Sequence, residues 1–301
     1  MNEFYLVLIK NNGEIIHDMF ATSHNDLICK YIGEYGEKNK SYFKARYSPK
    51  GSRLDDINNY RIIIDESYIP DWFNDVLANN VEIKLKKIIS NMIISNKKQL
   101  VLNQGVILTK NAKINEMKYS IVYGMYDNSY IKNLKNNSEI YKICGNSVVD
   151  VMYDNTKIYQ TWGFSKINEM RDYSKIIKMY GQTKIGKMYD NSRIEMLRGD
   201  TNVLEMHDES KADKLKHMSM VSEMYGHSVI EEMWDWTIVG KMFENSRINY
   251  MDEDSKVLEM HGESIVEYMG GNSIIEKIYE NSLVKKINDM AKILEKKLNI
   301  I

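Results

Sequence analysis

TKIGKMYDNSRIEMLRGDTNVLEMHDES, residues 183–210, decides how the rest of the chain is read. Thr183, Ser192, Thr201 and Ser210 stand nine apart. Ile185, Ile194 and Val203 follow their hydroxyls by two residues, and Met188, Leu197 and Met206 precede the next hydroxyl by four. Stepping outward by nines from Ser129 to Ser282, 18 of 18 positions are Ser or Thr. Two residues later 17 of 18 are Ile or Val, the exception being Ala212; four residues earlier 17 of 18 are Met, Leu or Ile, the exception being Thr161. Columns this pure define a nonapeptide repeat, M-Y-D/G-N-S-x-I-x-x, and a repeat of fixed period controls the whole architecture.

A helix does not suit this unit. Nine residues make about 2.5 helical turns, so the apolar stripe would wander around the axis. The aliphatic column is β-branched and Asp, Asn and Gly recur in every unit, which favours a short strand and a corner. Ser and Ile two apart share one face of a strand, and Met fills the far side of the core with a flexible side chain. Units that bury their apolar faces on one another stack into a β-solenoid.

The coil length follows from a second rhythm. Gly145, Gly163, Gly181 and Gly199 lie two residues ahead of alternate hydroxyls, and Asp154, Asp172, Asp190 and Asp208 occupy the places between. Two inequivalent corners per coil imply 18 residues and a flattened, two-sided solenoid. A three-sided coil of 27 stays open, because Tyr126, Tyr153, Tyr180, His207, Trp234 and His261 are also orderly at that spacing; 18 is preferred. Residues 183–210 match 237–264 at 16 of 28 positions, an offset of 54 that divides by both periods and marks growth by duplication. Nine coils of 18 over 125–286 make a rod of about 40 Å at roughly 4.8 Å per layer.

The ends differ from the array. Residues 1–98 hold both prolines and none of the repeat. Asn11-Asn12-Gly13 between 4–9 and 14–20 signals a hairpin. Ser23 with Asp26 signals a helix N-terminus leading to about Tyr35. Segments 41–47 and 60–66 read as strands, and Pro70 as the start of a helix to about Ile94 with Trp72, Phe73, Val76 and Leu77 on its apolar side. This is a small α+β domain, expected to cap the first coil, since an open solenoid end invites edge pairing. The solenoid is expected over 99–287, starting near residue 100, with one residue missing before Ser120. Residues 288–301 read as a C-terminal amphipathic capping helix with Met290, Ile293, Leu294 and Leu298 on one face. The fold class is thus mainly β, a two-sided solenoid between two caps.

The string M-Y-D-N-S-x-I-x-x-M resembles the tandem N-S/T-x-V/I-x-x-M repeats of uncharacterised proteins from anaerobic Firmicutes and their phages. Some of these also carry a leading α/β segment with an element similar to Pro70-Asp71-Trp72-Phe73. The resemblance covers most of the chain and implies an architecture and a bacterial or phage setting; it implies no catalytic residues.

Composition narrows the function. With 41 Lys+Arg against 42 Asp+Glu the chain is no simple polycation for nucleic acid or membrane. Cys29 and Cys144 are too few and too distant for a disulfide framework or a zinc site. No apolar run is long enough to span a bilayer, and the N-terminal apolar run lacks a basic leader, so a cytoplasmic protein is expected. Calcium-binding nonapeptide rolls place Asp where this repeat has Ser or Thr, and hard cations need several carboxylate or carbonyl oxygens; the hydroxyl column reads instead as an internal ladder. His207 and His261 stand about 14 Å apart along the stack and do not share a metal. No nucleotide-binding loop, nucleophile elbow or zinc-protease motif is present, and His17, His24 and Cys29 are unconnected. No catalytic residue, cofactor or metal is therefore assigned.

The surface is more informative. Tyr153, Tyr189, Tyr225 and Phe243 share one side of an 18-residue coil and form a ladder that either binds a partner or stacks on itself, the latter being favoured. Trp162 and Phe164, and Trp234, Asp235 and Trp236, break the N-S pattern. Residues 188–280 carry 20 acidic and 9 basic side chains, net −11, against +10 elsewhere; Glu231, Glu232, Asp252, Glu253 and Asp254 lie in this acidic stretch. These are the candidate partner-binding residues. The reading they favour is a non-enzymatic macromolecule-binding solenoid. Its partner would be a protein, such as a basic nucleic-acid-binding one, and in a phage setting the solenoid would inhibit a host nuclease or defence complex. Direct nucleic-acid binding is disfavoured for want of a groove-reading motif. A structural or glycan-binding rod, and a polysaccharide-cleaving solenoid with paired carboxylates, are the alternatives.

Overall fold

The computed structural model describes residues 5–18, 20–33, 41–288 and 290–297. The chain divides into two compact units: one of residues 1–94, 104–109 and 121–124, the other of 95–103, 110–120 and 125–301.

In the N-terminal unit, β1 (Tyr5–Lys10) and β2 (Ile15–His17) form the hairpin that Asn11-Asn12-Gly13 signals. Gly13 has φ +74°, a conformation that side chains other than Asn and Asp rarely adopt. β3 (Tyr42–Pro49) and β4 (Tyr60–Ile64) complete a four-stranded antiparallel sheet in the order β2-β1-β3-β4. The first helix, α1 (His24–Tyr31), opens with the capping box of Ser23 and Asp26. It buries Leu27 and Ile28 against Leu6, Leu8, Ile16 and Tyr42. It ends earlier than expected, and Tyr35 lies outside the described residues.

The second helix corrects the expectation. α2 spans Asp75–Met92 and buries Val81, Leu85, Ile89 and Met92. Pro70 does not start it: the Asn74 side chain accepts the Leu77 N–H and caps the helix there. Trp72 and Phe73 therefore precede the helix and pack on Phe43 at ring separations of 5.5 and 4.7 Å, while Val76 points to solvent. Within the same unit Thr109 donates to Asp55 at 2.6 Å, and Asp55 also receives Arg53 at 2.7 Å.

The second unit is the repeat array. Each nonapeptide makes one short strand, and strands pair in parallel with those 18 residues away. Thus Lys166, Ile167, Glu169 and Met170 oppose Lys184, Ile185, Lys187 and Met188. Alternate strands join one sheet and the intervening strands join another, so a coil has two sides and the 27-residue alternative is excluded. The hydroxyl, aliphatic and thioether columns fill the space between the sheets. Ser192, Ile194, Val203 and Met206 are completely buried, as are their equivalents from Met125 to Ile275. Aliphatic and Met positions are three apart, which a flat strand would send to opposite faces. The register skips the residue after the aliphatic, as at Asn168 and Gly186, and this irregularity accompanies the return of Met to the core. Several hydroxyls donate back to the carbonyl three residues earlier, as Ser129 does to Tyr126 at 2.6 Å and Thr156 to Tyr153 at 2.8 Å.

Pairing begins slightly before residue 100. Lys97–Leu102 pairs with Lys113–Lys118 at an offset of 16, and the latter with Tyr130–Lys135 at an offset of 17, the second reflecting the residue missing before Ser120. At the other end the expected helix is not formed. Lys292–Lys297 is a strand that pairs with Ile274–Tyr279. Ala291 falls in the hydroxyl column and Ile293 opposite Ile275, so the repeat register outweighs the helical spacing of the local sequence. Met290 and Leu294 are consequently exposed rather than packed on one helical face, and Leu298 lies outside the described residues.

Candidate interaction surface

Every coil turns twice, and at each turn the residue two before the hydroxyl is left-handed. Asp154, Asp172, Asp190 and Asp208 have φ of 55–56°, and Gly145, Gly163 and Gly181 have φ of 70–73°. Asp, Asn and Gly tolerate that conformation best, which is why they recur. The Asp side chains have a second task. Each accepts the backbone N–H of the equivalent residue one coil earlier: Asp172 from Asp154 at 2.8 Å, Asp190 from Asp172 at 3.0 Å, Asp208 from Asp190 at 3.1 Å. Later in the array Glu244, Glu253 and Glu280 do the same with a longer arm, at 2.6–2.7 Å. Much of the acidic excess is therefore a carboxylate rail along the turns. The N–H of His217 holds the Asp235 carboxyl below the usual carboxylate range in the same way.

Carboxylates on the sheet faces are matched differently, by cations across coils. Arg193 bonds Asp213 at 2.6 Å, Lys187 bonds Glu205 at 2.8 Å and Lys285 bonds Glu267 at 3.0 Å. Glu231 and Glu232 belong to this group: Glu231 pairs with Lys211 and receives Asn249, and Glu232 pairs with Lys214 at 3.1 Å. Both acids sit below their ordinary range, Glu231 through Lys211 and Asn249, and Glu232, against the opposing effect of burial, through the Trp234 indole N–H and Lys214.

The two turns of a coil form two edges that differ in character. On the edge that carries the Asp154–Asp208 rail, the residue after Met builds a continuous stack. Tyr189, His207, Tyr225, Phe243, His261 and Tyr279 follow one another at 4.5–5.1 Å, with planes within 17° of parallel. Cations extend it: Arg171 lies over Tyr189 at 4.7 Å, Lys135 over Tyr153 at 5.2 Å and Lys297 over Tyr279 at 5.6 Å. His207 and His261 are rungs of this ladder, each beside a glutamate, Glu205 at 2.8 Å and Glu259 at 3.2 Å. The Tyr225 hydroxyl donates to Glu223, which pushes its pKa up to about 12. Inner rings of the ladder have both faces covered, so it stacks on itself as favoured from the sequence.

The opposite edge, which carries Gly145, Gly163, Gly181 and Gly199, gathers most of the bulky departures from the repeat, Tyr173 at 65% exposure being one on the ladder edge. Trp162, Phe164, Trp234, Asp235, Trp236, Asp252, Glu253 and Asp254 all fall on its turns, although they lie far apart in sequence. Trp162 and Trp234 are four coils apart, about 19 Å at the spacing of stacked strands. Trp162 stacks on Tyr180 at 4.3 Å, and Trp234 tilts against Tyr250 at 5.1 Å while its Nε1 donates to Glu232. Phe164 and Trp236 are 65% and 64% exposed, so the edge offers large apolar groups to solvent. Met218, 61% exposed on the same edge, escaped the sequence reading because Met is so common elsewhere in the repeat.

In the N-terminal unit His17, His24 and Cys29 have separate surroundings. His17 meets the Tyr5 hydroxyl at 2.7 Å, His24 meets the Ala45 carbonyl at 2.9 Å, and Cys29 is exposed. Among the described residues no group of three or more His, Cys, Asp or Glu is placed to hold a metal ion, and no helix is long and apolar enough to cross a membrane. No protein-family model, curated protein or solved structure matches the chain.

Proposed function

We propose that the protein is a non-enzymatic, macromolecule-binding solenoid that holds a protein partner along its glycine edge. The observation that carries this reading is the bias of the repeat's exposed departures toward that edge. Phe164, Met218 and Trp236 are exposed there, while on the other edge the rings from Tyr189 to Tyr279 stack on one another and Tyr173 is the comparably exposed aromatic residue. A repeat array presents a long rigid surface, and exposed aromatic groups on such a surface are the usual anchors of protein interfaces. The net charge of −11 over 188–280 suits a basic partner, such as a nucleic-acid-binding protein. With the resemblance to phage proteins, the concrete form is a cytoplasmic, stoichiometric inhibitor of a host nuclease or defence complex. The adhesive alternative gains nothing from the ladder, since its inner rings have no open face for a sugar.

The test is affinity capture from bacterial lysate with two baits, the native protein and a Trp162→Ala/Phe164→Ala/Met218→Ala/Trp236→Ala variant. A partner retained at fixed stoichiometry by the native bait and lost by the variant is expected. A partner that both baits retain equally would remove the edge from consideration.

A further inference from the structure

Two consecutive coils on the glycine edge carry apolar residues on both sides of the buried hydroxyl, and the second coil after them carries one. The residues just before and just after the buried hydroxyl are Met218 and Met220, Trp236 and Ile238, Asp254 and Lys256, Asn272 and Ile274. In the two coils before them the same places hold Gln182 with Lys184 and Asp200 with Asn202. Apolar side chains thus replace polar ones at Met218, Met220, Trp236, Ile238 and Ile274, while Asp254, Lys256 and Asn272 stay polar between them. The last three of these coils enclose a groove of about 330 Å³ between Trp236, Ile238, Asp254, Lys256, Asn272 and Ile274. Ile238 and Ile274 supply apolar wall and Trp236 an exposed ring, which together accept one sizeable apolar side chain.

Beside the groove, Asp252, Glu253 and Asp254 carry three successive carboxylates. None of them joins an ion pair among the described residues, in contrast to Glu231, Glu232 and Glu267 on the sheets. Asp252 accepts the Tyr250 hydroxyl and the Glu253 N–H, Glu253 accepts the Asp235 N–H at 2.7 Å, and Asp254 accepts Asn272 at 3.4 Å. An ionised carboxylate has about four lone-pair sites, so each keeps capacity for a cationic donor. Lys256, the cation in the groove wall, has its ammonium 3.7 Å from Glu276 one coil further on. Charge complementarity therefore selects the occupant.

We propose that the partner inserts an apolar side chain into the Trp236 groove from a segment rich in arginine and lysine, whose cations engage Asp252, Glu253 and Asp254. This rests on the glycine edge being the binding edge and names the chemistry that it recognises. The apolar anchor fixes register, and the carboxylates set charge selectivity and speed encounter.

The experiment uses the full chain and a labelled synthetic peptide, arginine-rich with one central leucine, followed by fluorescence anisotropy. Two companion peptides replace the leucine by glycine or the arginines by glutamate. The leucine peptide is expected to bind, with each companion weaker by about 10-fold or more. Trp236→Ala should weaken the leucine peptide by about 10-fold and leave the glycine peptide unchanged. Asp252→Asn/Glu253→Gln/Asp254→Asn should flatten the salt dependence, while the Glu253→Gln carbonyl still accepts the Asp235 N–H so the turn is kept. Phe164→Ala, four coils away, should change nothing. Equal binding of leucine and glycine peptides, or indifference to Trp236→Ala, would overturn the proposal. So would a self-association by light scattering that Trp236→Ala abolishes, because the occupant would then be a second copy. Repeating the lysate capture separates the two levels of inference. Loss with Trp162→Ala/Phe164→Ala but not with Trp236→Ala leaves the edge standing and removes the groove.

Discussion

The two edges of one coil are built from the same nine-residue unit, yet one is largely closed by a ring ladder and the other is more open, Tyr173 being the exposed ring of the first. On the aromatic edge each inner ring is covered above and below by its neighbours in the stack. On the glycine edge Trp236, Met218 and Phe164 stand in solvent at 61–65% exposure. The same residue type is thus structural on one side and available on the other. What decides is the place in the turn and its neighbours: rings three residues before the hydroxyl stack on the next coil, as Tyr225 and Trp162 do, and side chains one residue before it stand in solvent, as Phe164, Tyr173 and Trp236 do. Repetition satisfies a surface, and interruption of the repetition frees it. This is why exposed aromatic groups in a repeat protein carry more functional weight when the repeat around them is otherwise strict.

The sharpest way to break this comparison is to disturb a turn. Gly181 has φ +72°, and a Cβ there would meet Gly163 N at 2.9 Å. Gly181→Val should cost about 2–4 kcal/mol, because a β-branched residue is forced into the left-handed region; urea unfolding checks it. Next comes the ladder. Tyr225→Ala removes two stacked contacts, to His207 and Phe243, and should destabilise by about 2 kcal/mol, at about 0.5–1.5 kcal/mol per pair plus lost packing. Asp190→Ala deletes the acceptor for the Asp172 N–H and should cost about 1–2 kcal/mol, the range of a lost helix cap, which is a similar bond. Asp190→Gly should cost less, since glycine relieves the left-handed strain.

Acidification tests the rail more gently. Asp235, Glu205 and Glu259 have carboxyl groups held below their ordinary range, by the His217 N–H, by Lys187 with His207, and by His261, respectively. A depressed folded-state pKa contributes stability that is present above the unfolded value and lost as pH falls through the folded one. The melting temperature should therefore hold from neutrality to the ordinary carboxylate range and decline below it, with a shallower decline in Asp235→Asn. The smallest effect belongs to the open edge. Trp236→Ala should move stability by less than about 0.5 kcal/mol, as expected for an exposed site. A large loss of stability there would mean that the indole supports the coil and is no free anchor.

The core was legible because burial tolerates so little. Ser192 and Met188 sit against residues of the same kind in adjacent coils, and Ile194 against Ile176 and Ala212, and the sequence repeats these columns accordingly. The turns were half legible: Asp154 and Gly163 announce a bend, but the bond from each Asp to the N–H one coil back leaves no local signature. The C-terminal strand was misread because Met290, Ile293 and Leu294 happen to carry helical spacing, while Ala291 and Ile293 keep the nonapeptide register. Pairing with a preformed sheet overrode the local propensity. Trp72 and Phe73 failed for a similar reason, since Asn74 caps the helix after them. Of the candidate residues, the sequence picked out the Trp162–Phe164 and Trp234–Trp236 pairs. That they share an edge was readable as well, since Trp162 and Trp234 differ by a whole number of 18-residue coils, whereas Tyr153 and Trp162 differ by half of one.

That half-coil relation constrains how such a chain evolves. Gaining or losing a single nonapeptide would transfer everything downstream to the opposite side, placing tryptophans among the stacked rings and breaking the carboxylate rail. Only whole-coil insertions leave the sidedness intact, and the internal copy of 183–210 at 237–264 obeys this rule with an offset of 54, three full coils. Lineages that lengthen or shorten this protein should differ by even numbers of repeats, carrying the glycine edge along unaltered.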